Sequence, residues 1–490
     1  MSQLPEIIFA SSNPSESRRI RNMLNQGQIR PLIPRAYTPN IEDPIDQIVR
    51  RNIWLLVSHI FPEAIISHRS AIEYRLSPSS NLYLTAGSRR VYRWPGVNIR
   101  IAEGMGPLSD DGSYMHNLRV SSLERACLEN LSSSRMVDGE KRTVEQEVIE
   151  ERLLTILNTR GEKALNQLRD RAREIAQELG MNKAIDKLNK IIGSILSTRP
   201  TKVLTSPRAT AQAMGEPYDA ERLDLFSILL AQLKQITFPE RQGKTKSDQA
   251  FSNFAFFEAY FSNYIEGTTF LVDEAKQIVY DGNDIPLRIQ DSHDIRGTYQ
   301  IVSDRKEMSI TPNTGNKLID LLRERHAVVL GGRPEKNPGA FKARQNRAGN
   351  SVFVAPEFVI GTLKQGFALM ASLDNPIARA IYMMFLISEV HPFDDGNGRV
   401  ARIMMNAELV RRGSSKIIIP TVYRDDYILT LKRLTRQRDP VAFVGMMERA
   451  SEFSHWLDPN NWDIMDKQLE TANAYKEPDQ DGTILNWAKE

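Results

Sequence analysis

The chain has 490 residues, 41% hydrophobic and 26% charged, an ordinary globular composition that excludes a disordered, collagen-like or rod-like protein and exceeds what one core usually organises. Lys and Arg number 64 against 61 Asp and Glu, so a formal charge of +3 excludes a whole-chain polycation and leaves only local basic patches to consider. Cys127 is the single cysteine, which excludes intramolecular disulfides and Cys-rich zinc sites and fits a reducing compartment. Its neighbours Leu123 to Leu128 read as a helix with Cys127 on the apolar face, a small buried side chain rather than a nucleophile.

Met1 to Glu6 carries no basic region leading into an apolar run, and stretches such as Ala380 to Val390 fall short of the ~20 residues a membrane-spanning helix needs. A cytoplasmic location without membrane contact is therefore expected. Ser15 to Asn25 predicts an amphipathic helix, followed by a turn at Gln26-Gly27-Gln28 and a strand-like piece over Ile29 to Ile33, so residues 1–60 read as a winged-helix-like unit. Arg18, Arg19, Arg21, Arg30 and Arg35 make it a candidate DNA contact, because neutralising the phosphate backbone dominates nucleic-acid affinity; arginines simply solvated on a short helix are the plainer reading. Over residues 61–135, short β-like runs (Asn81 to Ala86, Val97 to Ile101) alternate with turn signals at Trp94-Pro95-Gly96 and Asp110-Asp111-Gly112, predicting a small α+β unit. Its Ile66-Ser67-His68-Arg69-Ser70-Ala71, Leu82-Tyr83-Leu84-Thr85, Pro95-Gly96-Val97 and Leu118-Arg119-Val120-Ser121 resemble the abortive-infection AbiEi-like antitoxin and regulator family over the first quarter of the chain. His68 is expected to be a satisfied structural histidine. Residues 136–240 predict a helical connector, with a stop at Ser197-Thr198-Arg199-Pro200 and a break over Phe238 to Lys244.

The remaining residues, 241–490, carry the chemistry in His391-Pro392-Phe393-Asp394-Asp395-Gly396-Asn397-Gly398-Arg399-Val400-Ala401-Arg402. Ala378 to Val390 predicts a helix that Pro392 cannot continue, leaving His391 at its end as a candidate base. Gly396-Asn397-Gly398 turns into a second helix, where free N–H groups and the positive dipole end form an anion site, and Arg399 and Arg402 lie three apart on one face. Asp395 is a hard oxygen ligand suited to Mg²⁺ on phosphate oxygens, and Phe393 anchors the loop in the core. A plain tight turn accounts for the glycines but not for one His, one Asp and two Arg at this spacing.

The string resembles the signature of the Fic (Fido) family, His-Pro-Phe-x-Asp/Glu-Gly-Asn-Gly-Arg-x-x-Arg, at every fixed position, and the resemblance extends over roughly Ser252 to Phe453. It implies a multidomain, mainly α protein: an all-helical Fic core with a small β-hairpin flap, preceded by the winged-helix-like and α+β units. It implies an enzyme transferring AMP from ATP to a Ser, Thr or Tyr hydroxyl of a protein, self-modification included. His391 would be the base and Asp395 the Mg²⁺ ligand, with Gly396, Asn397, Gly398, Arg399 and Arg402 binding ATP. Ser262-Asn263-Tyr264-Ile265-Glu266-Gly267 resembles the family's inhibitory helix, in which Glu266, with Ser262 one turn earlier, would pair with Arg402 and exclude the γ-phosphate. Ser351-Val352-Phe353-Val354, near Pro338 to Lys342, resembles the flap that docks a target strand through Val352 and Phe353, although Lys342 stands where family flaps often carry Arg. Tyr427, after the strand-like Ile417-Ile418-Ile419, and Asn406, one turn beyond Arg402, are further ATP candidates. The alternatives are a DNA-binding regulator with an accessory Fic domain, and a Fic enzyme that uses another nucleotide or removes AMP.

Overall fold

In the computed structural model, which describes residues 4–196, 201–349, 351–477 and 484–487, the chain divides into Met1–Gly215 and Glu216–Glu490. The expected helix stop at residues 197–200 lies outside the described residues.

In the first unit, Asn13 caps the helix Pro14–Asn25 by accepting from Ser15 N–H at 2.9 Å, with Pro14 in the first turn where its missing donor costs nothing. The hairpin strands Arg30–Ile33 and Ala36–Thr38 follow, giving the expected order of helix, turn and wing, and Ile8–Phe9 adds a third strand against Ala36–Thr38. Arg18, Arg19, Arg21 and Arg35 are exposed, whereas Arg30 is spent internally on the Asn40 and Asp43 carbonyls.

A six-stranded mixed sheet follows, ordered Arg90–Trp94, Val97–Glu103, Asn81–Ala86, Ile65–Ile66, Arg119–Val120, Gly112–Ser113. Asn81–Ala86 pairs parallel with Val97–Glu103, and such an inner strand is buried on both faces, one lined here by Leu82 and Leu84 and the other by Tyr83. Ile33 and Ile48 from residues 1–60 share one core with Leu82, Ile99 and Ala126, so the segments 1–60 and 61–135 are not separated by a core boundary. His68 is 6% exposed, its backbone N–H donates to Glu129 Oε2 at 2.8 Å, and burial pushes its pKa down to about 3. The helices Gln146–Leu179 and Asn182–Ile195 close on Cys127 and Leu128 in a second cluster of the unit.

The helix Ala220–Gln235, expected within the connector, belongs instead to the second unit: Leu225, Phe226, Leu229 and Leu233 are buried there, with Phe226 edge-on to Tyr382 and Phe385. At the centre runs Pro376–Val390, capped by Asn375 and buried along nearly its whole length. Asn397–Arg411 packs beside it, and Asp248–Ile265, Ile289–Val302, Gly315–Val329, Val359–Met370, Arg424–Gln437 and Val441–Trp456 surround the pair. Ile417-Ile418-Ile419 is not a strand. It is buried, and the Asn406 side chain and Ser454 hydroxyl accept from the Ile417 and Ile418 N–H groups where a neighbouring strand would.

Candidate functional site

The central helix stops at His391, which adopts the left-handed conformation at φ 51° and presents its ring at the loop before Pro392. Its Nδ1 lies 3.2 Å from the Ser388 carbonyl, which can only accept; Nδ1 therefore carries the hydrogen and Nε2 is left as the acceptor a base needs. Burial, reinforced by the Lys342 charge, pushes the His391 pKa down to about 4 against the opposing pull of the Ser388 carbonyl, Glu266 and Asp395. The ring is thus neutral at physiological pH.

The loop between the helices is a rigid piece. Asn397 Oδ1 accepts from Phe393 N–H at 2.8 Å while its Nδ2 donates to the Phe393 carbonyl at 2.9 Å. Gly396 must be glycine, because its φ is 72° and a Cβ there would collide with Leu330. Fully buried His326 stacks on Phe393 at 3.7 Å and bridges two loops: Nδ1 accepts from Gly339 N–H at 2.9 Å, so Nε2–H donates to the Asp395 carbonyl at 3.1 Å. Asp395 Oδ1 accepts from Gly396 N–H at 2.6 Å, and Oδ2 receives no hydrogen bond from the described residues.

At the start of Asn397–Arg411 the anion position is filled by the chain itself. Arg402 Nη2 donates to Glu266 Oε1 at 2.7 Å and to the Ser262 carbonyl at 2.8 Å, and its Nε donates to Ser262 Oγ at 2.9 Å. The carboxylate also presses on Gly398, where a Cβ would collide with Glu266 Oε1. Burial acts against the Glu266 charge, yet Arg402, assisted by Arg399 and His391, holds its carboxyl below the usual range. A cleft of about 300 Å³ opens beside it, lined by Glu266, Phe353, His391, Gly398, Arg402 and Tyr427, with Ile428 and Leu431 as an apolar wall.

The structure thus brings Ser262, Glu266, His391, Gly398, Arg402, Tyr427 and Phe353 together. Phe353 stacks flat on His391 at 3.8 Å, while Val352, in the short hairpin Arg347–Ala348 and Ser351–Val352, is 42% exposed. Buried Lys342 donates to Asn346 Oδ1 at 2.7 Å, and Asn346 Nδ2 donates to the Phe393 carbonyl at 2.9 Å, stitching flap to loop. Burial pushes Lys342 down to about 8. Asn406 is not at the cleft: fully buried, it spends its amide on Glu258 Oε1, the Ile417 carbonyl and Ile417 N–H. Arg399 points elsewhere than Arg402, to buried Asp294 at 2.7 Å. Asp294 and His326 carry no local motif that sequence reasoning could have found. Among the described residues no cluster of three or more His, Cys, Asp or Glu could hold a metal, and none of their helices is long and apolar enough to cross a membrane.

Residues 318–409 match the family model described as Fic/DOC family. Protein adenylyltransferase fic-1 of Caenorhabditis elegans is 28% identical over 204 residues, covering 41% of this chain and 40% of that protein. Protein adenylyltransferase Fic of Nematostella vectensis is 27% identical over 256 residues, covering 51% of this chain and 57% of that protein. The chain thus spans about two-fifths of the length of the first curated relatives it matches. Among solved structures, Fic-1 residues 134–508 from C. elegans align at 21% identity over 63% of this chain and 89% of that chain, with a TM-score of 0.36.

Proposed function

We propose that the protein transfers AMP from ATP to a Ser, Thr or Tyr hydroxyl of a protein, itself included, and that Glu266 holds it inhibited. In this reading the target hydroxyl oxygen forms a bond to the α-phosphorus, the bond to the β-phosphate oxygen breaks, pyrophosphate leaves, and Nε2 of His391 takes the hydroxyl proton. Such transfers depend mainly on positioning and charge stabilisation. Gly398 lets the backbone approach a phosphate, Arg402 supplies the exchangeable positive charge, and Arg399, fixed by Asp294, adds a static one. Tyr427, Ile428 and Leu431 offer the apolar wall that a nucleobase packs against.

Mg²⁺ fits the donor set: Asp395 offers a hard carboxylate with Oδ2 uncommitted, and this ion is commonly held by one or two carboxylates together with substrate phosphates and waters. When bound it would supply charge neutralisation on the phosphates.

The observation that carries the reading is the Glu266 carboxylate lying against both Gly398 and Arg402, at the helix start where an anion is best stabilised. A carboxylate and a phosphate compete for one such place. The test incubates wild type, Glu266→Gly and Glu266→Gly/His391→Ala with labelled ATP and cell lysate. Glu266→Gly is expected to raise protein labelling at least tenfold and the added His391→Ala to abolish it; labelling indifferent to either substitution sinks the proposal.

A further inference from the structure

The turn that carries Glu266 is gripped from two sides. Arg402 holds it from within the site, and a separate stretch near the C-terminal end holds it from behind. Tyr264, two residues before Glu266, donates its hydroxyl to Glu477 Oε1. The Tyr475 ring stacks on Phe261 at 5.3 Å and meets Tyr260 edge-on at 5.8 Å, so one aromatic covers two consecutive residues of the last turns of Asp248–Ile265. Arg424 adds a hydrogen bond from Nε to the Ile265 carbonyl at 3.2 Å.

The stretch behind is itself anchored. Tyr475 donates to Asp466 Oδ1 at 2.6 Å, and Ala474 is buried, with its N–H on the Leu469 carbonyl at 2.9 Å. Residues 484–487 return to it: Asn473 Nδ2 donates to the Ile484 carbonyl at 3.2 Å, Asn486 N–H to the Ala472 carbonyl at 3.2 Å, and Leu485 is 1% exposed in the same core. Trp487 packs against Phe453 at 5.4 Å. The rear grip therefore belongs to an element continuous with the core, and it acts on three of the seven residues from Tyr260 to Glu266.

We propose that Tyr475 and Glu477 are positioning residues for Glu266, so that the C-terminal stretch sets how often the anion site is blocked. This rests on the reading of Glu266 as inhibitory. Glu266 caps the end of Asp248–Ile265, helix ends fray at little cost unless tied down, and a turn that frays carries the carboxylate away from Gly398. A hydroxyl donating to a carboxylate is among the stronger hydrogen bonds, and Tyr264 gives that bond to Glu477 in a half-buried setting. A binding partner or modification that withdrew Glu477 from Tyr264 would raise the population of the open site without touching His391 or Arg402.

The test compares wild type, Tyr264→Phe, Glu477→Gln, Tyr475→Leu and Glu266→Gly as full-length chains, and then Tyr264→Phe and Glu477→Gln each combined with Glu266→Gly. Backbone hydrogen exchange over residues 258–268 and ATP affinity by calorimetry are the two readouts, with thermal unfolding checking that each variant folds. The expected result is faster exchange over that span and about fivefold to tenfold tighter ATP binding for Tyr264→Phe and Glu477→Gln, and a similar or larger effect for Tyr475→Leu. Neither Tyr264→Phe nor Glu477→Gln should tighten binding further once Glu266 is glycine. Tightening by Glu266→Gly but not by the rear variants overturns the clamp and leaves the inhibitory role intact. If Glu266→Gly itself fails to tighten binding, the inhibitory reading falls and takes the clamp with it.

Discussion

Arg399 turns its Nη1 to the Asp294 carboxylate at 2.7 Å, and the two side chains are only 3% and 1% exposed. Asp294 also accepts from Arg333 Nε at 2.8 Å, so one carboxylate offsets two guanidiniums from separate segments. Taking the carboxylate charge away strands Arg399 in a place water does not reach, and breaking a buried pair in this manner costs ~3–5 kcal/mol. Asp294→Asn is expected to lower the unfolding free energy by about 3 kcal/mol in a urea titration. A loss below about 1 kcal/mol would mean that the pair is not the anchor of Arg399.

Cys127 is fully buried, and burial pushes its thiol up to about 12. Reaction with an aromatic disulfide reagent requires an accessible thiolate, so the native chain should stay unmodified at mildly alkaline pH and release one equivalent of colour only on unfolding. Rapid modification without denaturant would show that the helix Leu123–Leu131 opens locally.

What the sequence disclosed follows from distance along the chain. His391, Gly398 and Arg402 lie within one helix end, one turn and one helix start, where proline, glycine and helical spacing decide geometry, and the string could be read as a site. The pairing of Glu266 with Arg402 spans 136 positions and was legible only through the resemblance of two separate motifs. Asn406 shows the limit of helical spacing: one turn beyond Arg402 it shares that residue's face, yet the buried Glu258 and the extended Ile417 backbone claim its amide. Ile417 to Ile419 read as a strand because β-branched residues favour pleated surfaces, but side chains of Asn406 and Ser454 supply the partners a strand would. The grip of Asp294 on Arg399 and of Phe353 on His391 depends on which elements meet, which periodicity does not encode.

Acid sensitivity follows from the buried histidines. His391 takes its proton only near pH 4, against about 6.5 for an unburied ring. Between those values the unfolded chain binds a proton that the folded site refuses, so stability rises with pH through this window and is flat above it. His326 at about 4 and His68 at about 3 contribute with the same sign. The expected outcome is a unfolding midpoint in urea that falls steadily as pH is lowered from about 6.5 to 4. Two neighbours tune His391 in opposite senses, since the Lys342 charge lowers its pKa and the Glu266 charge raises it. Lys342→Met should therefore move the His391 titration to higher pH and Glu266→Gly to lower pH, followed by the ring-proton resonances of His391. Shifts in the reverse directions would contradict the placement of these charges.

Gly398 offers the sharpest check on whether carboxylate and phosphate share one place. A methyl there would occupy the position of Glu266 Oε1 and sit 3.0 Å from Arg402 Nη1. Were the only effect to expel Glu266, Gly398→Ala would mimic Glu266→Gly and tighten ATP binding. In a shared site the methyl excludes the phosphate as well, so Gly398→Ala and the Gly398→Ala/Glu266→Gly double variant should both bind ATP at least tenfold more weakly than Glu266→Gly, a difference of ~1.4 kcal/mol or more by calorimetry. Gly445→Ala is the control, because that helical glycine has open space where its Cβ would stand and lies outside the cleft. A double variant that binds ATP as tightly as Glu266→Gly would place the phosphates away from the start of Asn397–Arg411, and the Glu266 carboxylate would then be a helix-end counterion rather than a competitor.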